Sequence, residues 1–307
     1  MKKQQNLKYV KKLLIVLLVS TVMGCSSEDD SESTLQDVAS DENQELLYDL
    51  ENLTSATNCN ETRFPSLGDD ALAGNACSDI TNPVNIGTLD CRTNVGGYSH
   101  QTVTLANGSR RTYGVYSLTG SSSRYPTTKC RVERSFQPVT RGVNKNIRFT
   151  SRIILDDLSN SETNFAQVHS QGKIMDGLRK GEIAASAIFG VQAVKTSNPN
   201  LYKVTVSHSV EPFTDQRSGR RTTSFLKNLV KGREYILNVT TGYSSKNKHF
   251  SIIKISEANG TGTKSVTLSH TYTAEKATLR YGGYVASDSG DTTAKIRFRN
   301  TKLCRVN

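Results

Sequence analysis

The stretch Ile147-Arg148-Phe149-Thr150-Ser151-Arg152-Ile153 alternates apolar and polar side chains. In an extended strand, successive side chains point to opposite faces. Ile147, Phe149 and Ile153 therefore share an apolar face, and Arg148 and Arg152 share a basic one. Similar short runs lie on either side of it. They are Gln101–Leu105, Arg111–Leu118, Cys130–Gln137, Asn164–Ser170, Tyr202–His208, Tyr235–Thr241, Phe250–Ser256, Ser265–Thr271, Ala277–Ala286 and Ala294–Arg299. Polar turns separate them, and Asn107-Gly108 and Asn259-Gly260 are hairpin signals. Asp176–Lys180 and Thr223–Lys231 are predicted to form short helical turns. No internal repeat is present. Many strands at regular spacing in one body predict an all-β jelly roll of two antiparallel sheets.

Composition fits that class. The 307 residues allow one large domain or two small ones, and 35% apolar content suits a β-rich domain with a thin core. No apolar run reaches the roughly 18 residues needed to span a bilayer. Charge is divided sharply along the chain. Residues 1–25 carry five Lys and no acid, residues 26–61 carry 11 Asp/Glu and no Lys or Arg, and residues 62–307 carry 34 basic against 17 acidic side chains. The last segment is thus strongly cationic, which predicts a polyanionic partner.

The start of the chain reads as an address. Lys2, Lys3, Lys8, Lys11 and Lys12 precede the apolar run Leu13 to Val19, and the segment closes on Val22-Met23-Gly24-Cys25. Residues 1–24 are read as a signal peptide, and the Gly-Cys junction resembles a bacterial lipobox with Cys25 as the lipidated residue. This predicts an exported lipoprotein on the outer membrane or cell surface. Residues 25–61 are acidic and poor in β-branched side chains, so they read as a flexible tether. The catalytic or binding body is then 62–307. An oxidising compartment predicts disulfides among Cys59, Cys77, Cys91, Cys130 and Cys304, with spacing leaving the connectivity open. No C-x-x-C occurs and the five His are scattered, so no metal site and no cofactor are expected.

Three strand segments carry polar side chains at i and i+2. Arg131 and Glu133 share a face in Arg131-Val132-Glu133-Arg134, which follows Tyr125-Pro126. Gln167 and His169 share a face in Ala166-Gln167-Val168-His169. Arg280, Gly282 and Tyr284 share a face in Arg280-Tyr281-Gly282-Gly283-Tyr284, where the glycine would leave room for a ligand. Each alone is commonplace: an ion pair, an exposed strand, a bend. Their joint occurrence in a basic, exported β-protein is not.

Together they resemble polysaccharide lyase family 7, the alginate lyases with a β-jelly-roll, concanavalin-like sandwich. That family carries a Y-P-R-[ST]-E-[LV]-R strand, a Q-[IV]-H strand and a late Y-F-K-A-G-x-Y-x-Q strand. Here at least three residues are inserted after Pro126, Ser135 replaces the second Arg, Arg280 replaces the Lys, Ala286 replaces the final Gln, and Trp is absent. The chain therefore reads as a divergent member. The resemblance implies cleavage of a uronate polymer by β-elimination, with Tyr284 as catalytic base and acid and His169 as partner base. Gln167 and Arg131 would neutralise the carboxylate. Arg280, Glu133 and Tyr281 are carried as substrate-side residues, Glu133 chiefly to orient Arg131. Chemistry agrees, because a C5 proton α to an anionic carboxylate leaves only when that carboxylate is neutralised. A cation beside Tyr284 would lower its pKa, and His169 would titrate near neutrality.

Alginate is the first expected substrate and sulfated ulvan the second, with a monomeric enzyme acting on an anionic polysaccharide. The alternatives are a non-catalytic glycan-binding lipoprotein, which has no need of a proton-transfer pair, and a glycoside hydrolase, which needs two carboxylates. Nucleic acid is not expected as the partner, because no RRM or OB signature is present. His100, His208, His249 and His270 are read as structural. The cations Arg217, Arg220, Arg221, Lys227, Lys231 and Arg233 read as a solvated face or a groove lining.

Overall fold

The computed structural model describes residues 57–58, 77–80, 88–92, 95–120, 130–159, 162–285 and 292–306. The expectations for the signal peptide, Cys25, the tether, Cys59 and Tyr125-Pro126 fall outside them. In chain order the strands are β1 (Thr57–Asn58), β2 (Cys77–Ile80), β3 (Thr88–Arg92), β4 (Val95–Thr104), β5 (Arg110–Gly120) and β6 (Arg131–Ser135). Next come β7 (Val139–Thr140), β8 (Asn146–Leu158), β9 (Thr163–Gly177), β10 (Ala187–Lys195), β11 (Leu201–Glu211) and β12 (Arg220–Val230). The series ends with β13 (Glu234–Tyr243), β14 (His249–Glu257), β15 (Lys264–Ser269), β16 (Tyr272–Val285) and β17 (Thr292–Val306).

They form two antiparallel sheets, as the alternation predicts. One runs β1-β4-β5-β17-β8-β13-β14-β15 with β2 beside β17, and the other runs β12-β11-β10-β9-β16-β6-β3 with β7 beside β16. The architecture is the expected β-jelly-roll sandwich. The Ile147–Ile153 stretch lies in β8, with Ile147, Phe149 and Ile153 at 0% exposure and Arg148 exposed. Both Asn-Gly turns sit where the hairpins predict, between β4 and β5 and between β14 and β15. Thr223–Lys231 is not helical. Nearly all of it is β12, paired along β11, and this pairing overrides local propensity. Asp176–Lys180 is the end of β9 and a turn. Strand β10 has an apolar, Gly-interrupted sequence that gave no clear period.

The core lies between the sheets. Tyr281 of β16 is its junction, with ring centroids 4.9 Å from Phe149, 5.0 Å from Phe298, 5.4 Å from Tyr116 and 5.8 Å from Phe136. Its 1% exposure corrects the expectation that it touches substrate. The aromatic cluster fixes which face of β16 turns inward, and so which face is left for chemistry. The Cα register of β17 on β2 sets Cys304 opposite Cys77.

Candidate active site

The outer face of the second sheet carries the three motifs side by side. Ala166 and Val168 of β9 are fully buried in the core, so the alternation turns Gln167 and His169 outward. Gln167 pairs with Arg280 of β16 on one side and Gly190 of β10 on the other. Tyr284 pairs with Asn164 of β9 and Arg131 of β6. Alternation sets Tyr281 inward and Tyr284, three residues on, outward, and a register irregularity between them shifts the pairing with β9. Gly282 makes this possible with φ of 135°. A Cβ there would meet the backbone of Val132 and Glu133, so its space is taken by β6. The expectation that this glycine leaves room for a ligand is thereby corrected: it serves the bulge.

A buried polar network underlies the surface. Gln167 Nε2 donates to Glu133 Oε1 at 2.6 Å. Arg131 Nη1 lies 3.7 Å from Glu133 Oε2 and 3.6 Å from Asp90 Oδ2. Both carboxylates are 1% exposed, so Glu133 orients Gln167 and Arg131 and is not placed to touch substrate, a correction to its substrate-side assignment. Burial raises the Glu133 pKa, opposed by Arg131, Arg280 and the Gln167 hydrogen bond. Arg280 is also largely buried, and its charge acts on Glu133, His169 and Tyr284 from within the sheet rather than from an open subsite. Arg134 faces the other way, as expected, with its guanidinium 4.9 Å from the Tyr98 ring.

Tyr284, Gln167 and His169 open into one cavity of about 740 Å³. Asn164, Gly190 and Gln192 extend its floor, and Phe213 to Ser218 of the β11–β12 loop form a wall. A Cβ on Gly190 would strike Asn164 Oδ1, so this glycine lets Asn164 lean across β10. The wall is fastened by Thr214 Oγ1 donating to Glu182 at 2.6 Å and by Ala185 N–H donating to the Phe213 carbonyl at 2.9 Å. Arg221 enters from β12. It donates to the Ala187 carbonyl and to Ser186 Oγ, and lies 5.4 Å from the Phe213 ring. Among the basic excess noted in the sequence, Arg221 and Arg217 line the cavity. Asp90, Asn164 and Gln192 were not singled out from the sequence. Asn164 and Gln192 line the cavity, the first placed there beside a bulge in the β9–β10 pairing and the second on the unrecognised β10.

The electrostatics sort the proton carriers. Burial pushes the His169 pKa well below its ordinary value, and Arg280, Arg131 and Arg221 push it the same way. Hence His169 does not titrate near neutrality, against the sequence expectation, but stays a neutral base. For Tyr284, burial raises the pKa and outweighs the lowering by Arg131, Arg221 and Arg280, while Glu133 adds to the rise. The Arg131 guanidinium sits 4.6 Å from the Tyr284 ring centroid, yet the phenol keeps its proton in the free enzyme. No group of three or more His, Cys, Asp or Glu suited to a metal occurs among the described residues.

A sheet face with a neutral imidazole, a protonated phenol, an amide and guanidinium groups around one cleft is the equipment of a polysaccharide lyase. The family model of the PL28 ulvan lyases matches residues 38–307, and the chain belongs to that family. No curated protein matches it. Similar solved structures include the alginate lyase of Klebsiella pneumoniae, 10% identical over 66% of this chain and 84% of that one, with a TM-score of 0.47. The exolytic PL7 alginate lyase AlyA5 of Zobellia galactanivorans is 10% identical over 68% and 88%, with a TM-score of 0.47. The alginate lyase of Alteromonas sp. 272 is 13% identical over 62% and 89%, with a TM-score of 0.39.

Proposed function

We propose that this enzyme cleaves ulvan, a sulfated uronate polymer, by β-elimination. The family match supports ulvan ahead of alginate, the reverse of the order expected from the sequence motifs. The observation that carries the mechanism is that His169, Tyr284 and Gln167 open into one cavity while burial drives the two proton carriers apart in pKa. His169 takes the C5 proton. The C5–H electron pair forms the C4=C5 double bond, the C4–O bond breaks, and Tyr284 gives its proton to the departing O4. Arg131 and the second amide hydrogen of Gln167 meet the uronate carboxylate, whose charge must be offset before the C5 carbanion is reachable. Glu133 holds both donors in place.

The test is the ultraviolet absorbance of the new double bond with ulvan, alginate and glucuronan as substrates. Tyr284→Phe keeps the ring and removes the transferable proton, so activity should fall by roughly 10²–10⁴-fold. Tyr281→Phe, on the core side, should leave it nearly unchanged. Full activity in Tyr284→Phe, or loss only in Tyr281→Phe, would overturn the assignment. We also propose that the protein is tethered to the outer membrane or cell surface through Cys25, supported by the N-terminal sequence alone. Wild-type protein in the detergent phase and Cys25→Ala in the aqueous phase is the expected partition; equal partition would refute the anchor.

A further inference from the structure

We infer that Phe225 is a distal sugar-binding platform, a subsite that stacks a pyranose ring of an acidic chain remote from the bond being cut. This rests on the lyase reading above and deepens it. The placement follows from register. In β11, Val204 and Val206 are fully buried, so Thr205 between them turns to the outer face. Phe225 pairs with Thr205 at a β-bulge that leaves Leu226 without a paired residue, and because Leu226 is buried in the core its neighbour Phe225 turns to the outer face. Thr205 pairs in turn with Gln192, Gln192 with Asn164, Asn164 with Tyr284, and Tyr284 with Arg131. One transverse row therefore crosses the sheet from Arg131 and Tyr284, along the cavity floor, to Phe225.

Three properties of Phe225 suit a sugar. It is 56% exposed, at the sheet edge. An aromatic face left open to water in line with a polar cleft offers apolar area for the C–H side of a pyranose. Lys203, two residues before Thr205 on the same outer face and exposed, supplies a cation for a carboxylate or sulfate on that sugar. Four interstrand steps separate β16 from β12, about 19 Å at ~4.8 Å per step, or roughly four sugar residues at ~5 Å each. A polymer lying across the strands would reach both sites at once, and a short oligosaccharide bound at Tyr284 would not.

The experiment compares wild type, Phe225→Ala and Phe225→Tyr on ulvan polymer and on ulvan oligosaccharides of two to eight residues. Initial rates are read by ultraviolet absorbance, and binding by affinity electrophoresis in ulvan-containing gels. In Phe225→Ala the KM for polymer should rise about three- to tenfold with kcat kept. The shortest cleaved oligosaccharides should be unaffected, and Phe225→Tyr should behave as wild type. Phe225→Ala with an unchanged polymer KM, or with an equal loss on all lengths, would overturn the subsite. If wild type makes no unsaturated product from any substrate, the lyase reading falls separately. Gel retardation weakened only in Phe225→Ala would then still support the platform, and equal retardation would refute it.

Discussion

Acid should loosen this sandwich through a pair of histidines that take no part in the proposed reaction. His249 is 1% exposed, with Nε2 3.0 Å from Thr241 Oγ1, and its ring centroid is 4.7 Å from that of His270. His270 Nε2 lies 2.9 Å from Ser251 Oγ, and Nδ1 of each ring has no hydrogen-bond partner. Burial lowers the His249 pKa to about 3, and His270 is pushed well below its ordinary value by burial, His249 and His208. In the unfolded chain both titrate near 6.5. The folded form therefore binds fewer protons, and the stability contributed is full above pH 6.5 and drains as pH falls toward the folded pKa. At pH 5 the unfolded chain has gained about 1.5 pH units of protonation, worth about 2 kcal/mol from His249 at ~1.36 kcal/mol per unit. His270 adds a contribution of the same sign. Against a total of roughly 5–15 kcal/mol that is a large fraction.

Urea unfolding at pH 7.5 and pH 5.0 measures the loss. His249→Gln can still offer a hydrogen bond to Thr241 but does not titrate, so its drop between the two pH values should be smaller by about 2 kcal/mol. Carboxylates contribute equally to both proteins and cancel in the difference. Where His249→Gln does not fold, His270→Gln read the same way should also show a smaller drop. Identical pH losses in wild type and variant would refute the reasoning.

Glu133→Gln should lower kcat by about 10–100-fold, the scale of a lost hydrogen bond to a charged group, with KM less affected. Its unfolding free energy at pH 7 should not fall, since burial already disfavours the Glu133 charge; parallel loss of stability and activity would make the role merely structural. Tyr281→Ala should destabilise by about 3–5 kcal/mol through the cavity left among Phe149, Phe298, Tyr116 and Phe136, as read by urea unfolding; a cost below ~1 kcal/mol would refute its place at the core junction.

The fold was legible where one face meets water. Ile147–Ile153 and the Asn-Gly hairpins read correctly because alternation and turn chemistry are local properties. Strand β12 misled because most of it sits at a sheet edge and is exposed, leaving residues such as Thr223, Ser224 and Phe225 without a buried period. The i, i+2 argument correctly placed Gln167 and His169 on one face and Tyr281 on the other side of β16 from Tyr284. It erred on Gly282, because register slips at a bulge are set by the neighbouring strand. The directions of the His169 and Tyr284 pKa shifts were also out of reach, since depth of burial decides them and depth belongs to the assembled sandwich.

That depth explains how a sheet rich in arginine can hold an acid and a base together. Positive charge lowers the pKa of both imidazole and phenol, so Arg131, Arg280 and Arg221 alone would favour a neutral histidine and an ionised tyrosine. Desolvation acts on charge of either sign. It disfavours imidazolium and phenolate alike, adding to the cations at His169 and opposing them at Tyr284. The outcome is a deprotonated imidazole and a protonated phenol at the same pH, the states that the proposed mechanism assigns to the base at C5 and the acid at O4. In that mechanism the arginines serve the substrate's carboxylate without stripping the proton from the acid. The buried Glu133 helps twice: its charge raises the Tyr284 pKa, and its oxygens hold Gln167 and Arg131 beside the cleft. A site of this kind depends on the packing of β9, β16 and β6 as much as on its polar residues. Substitutions that admit water beneath Tyr284 would let the cations prevail, lowering its pKa and the fraction of the phenol that still carries a proton.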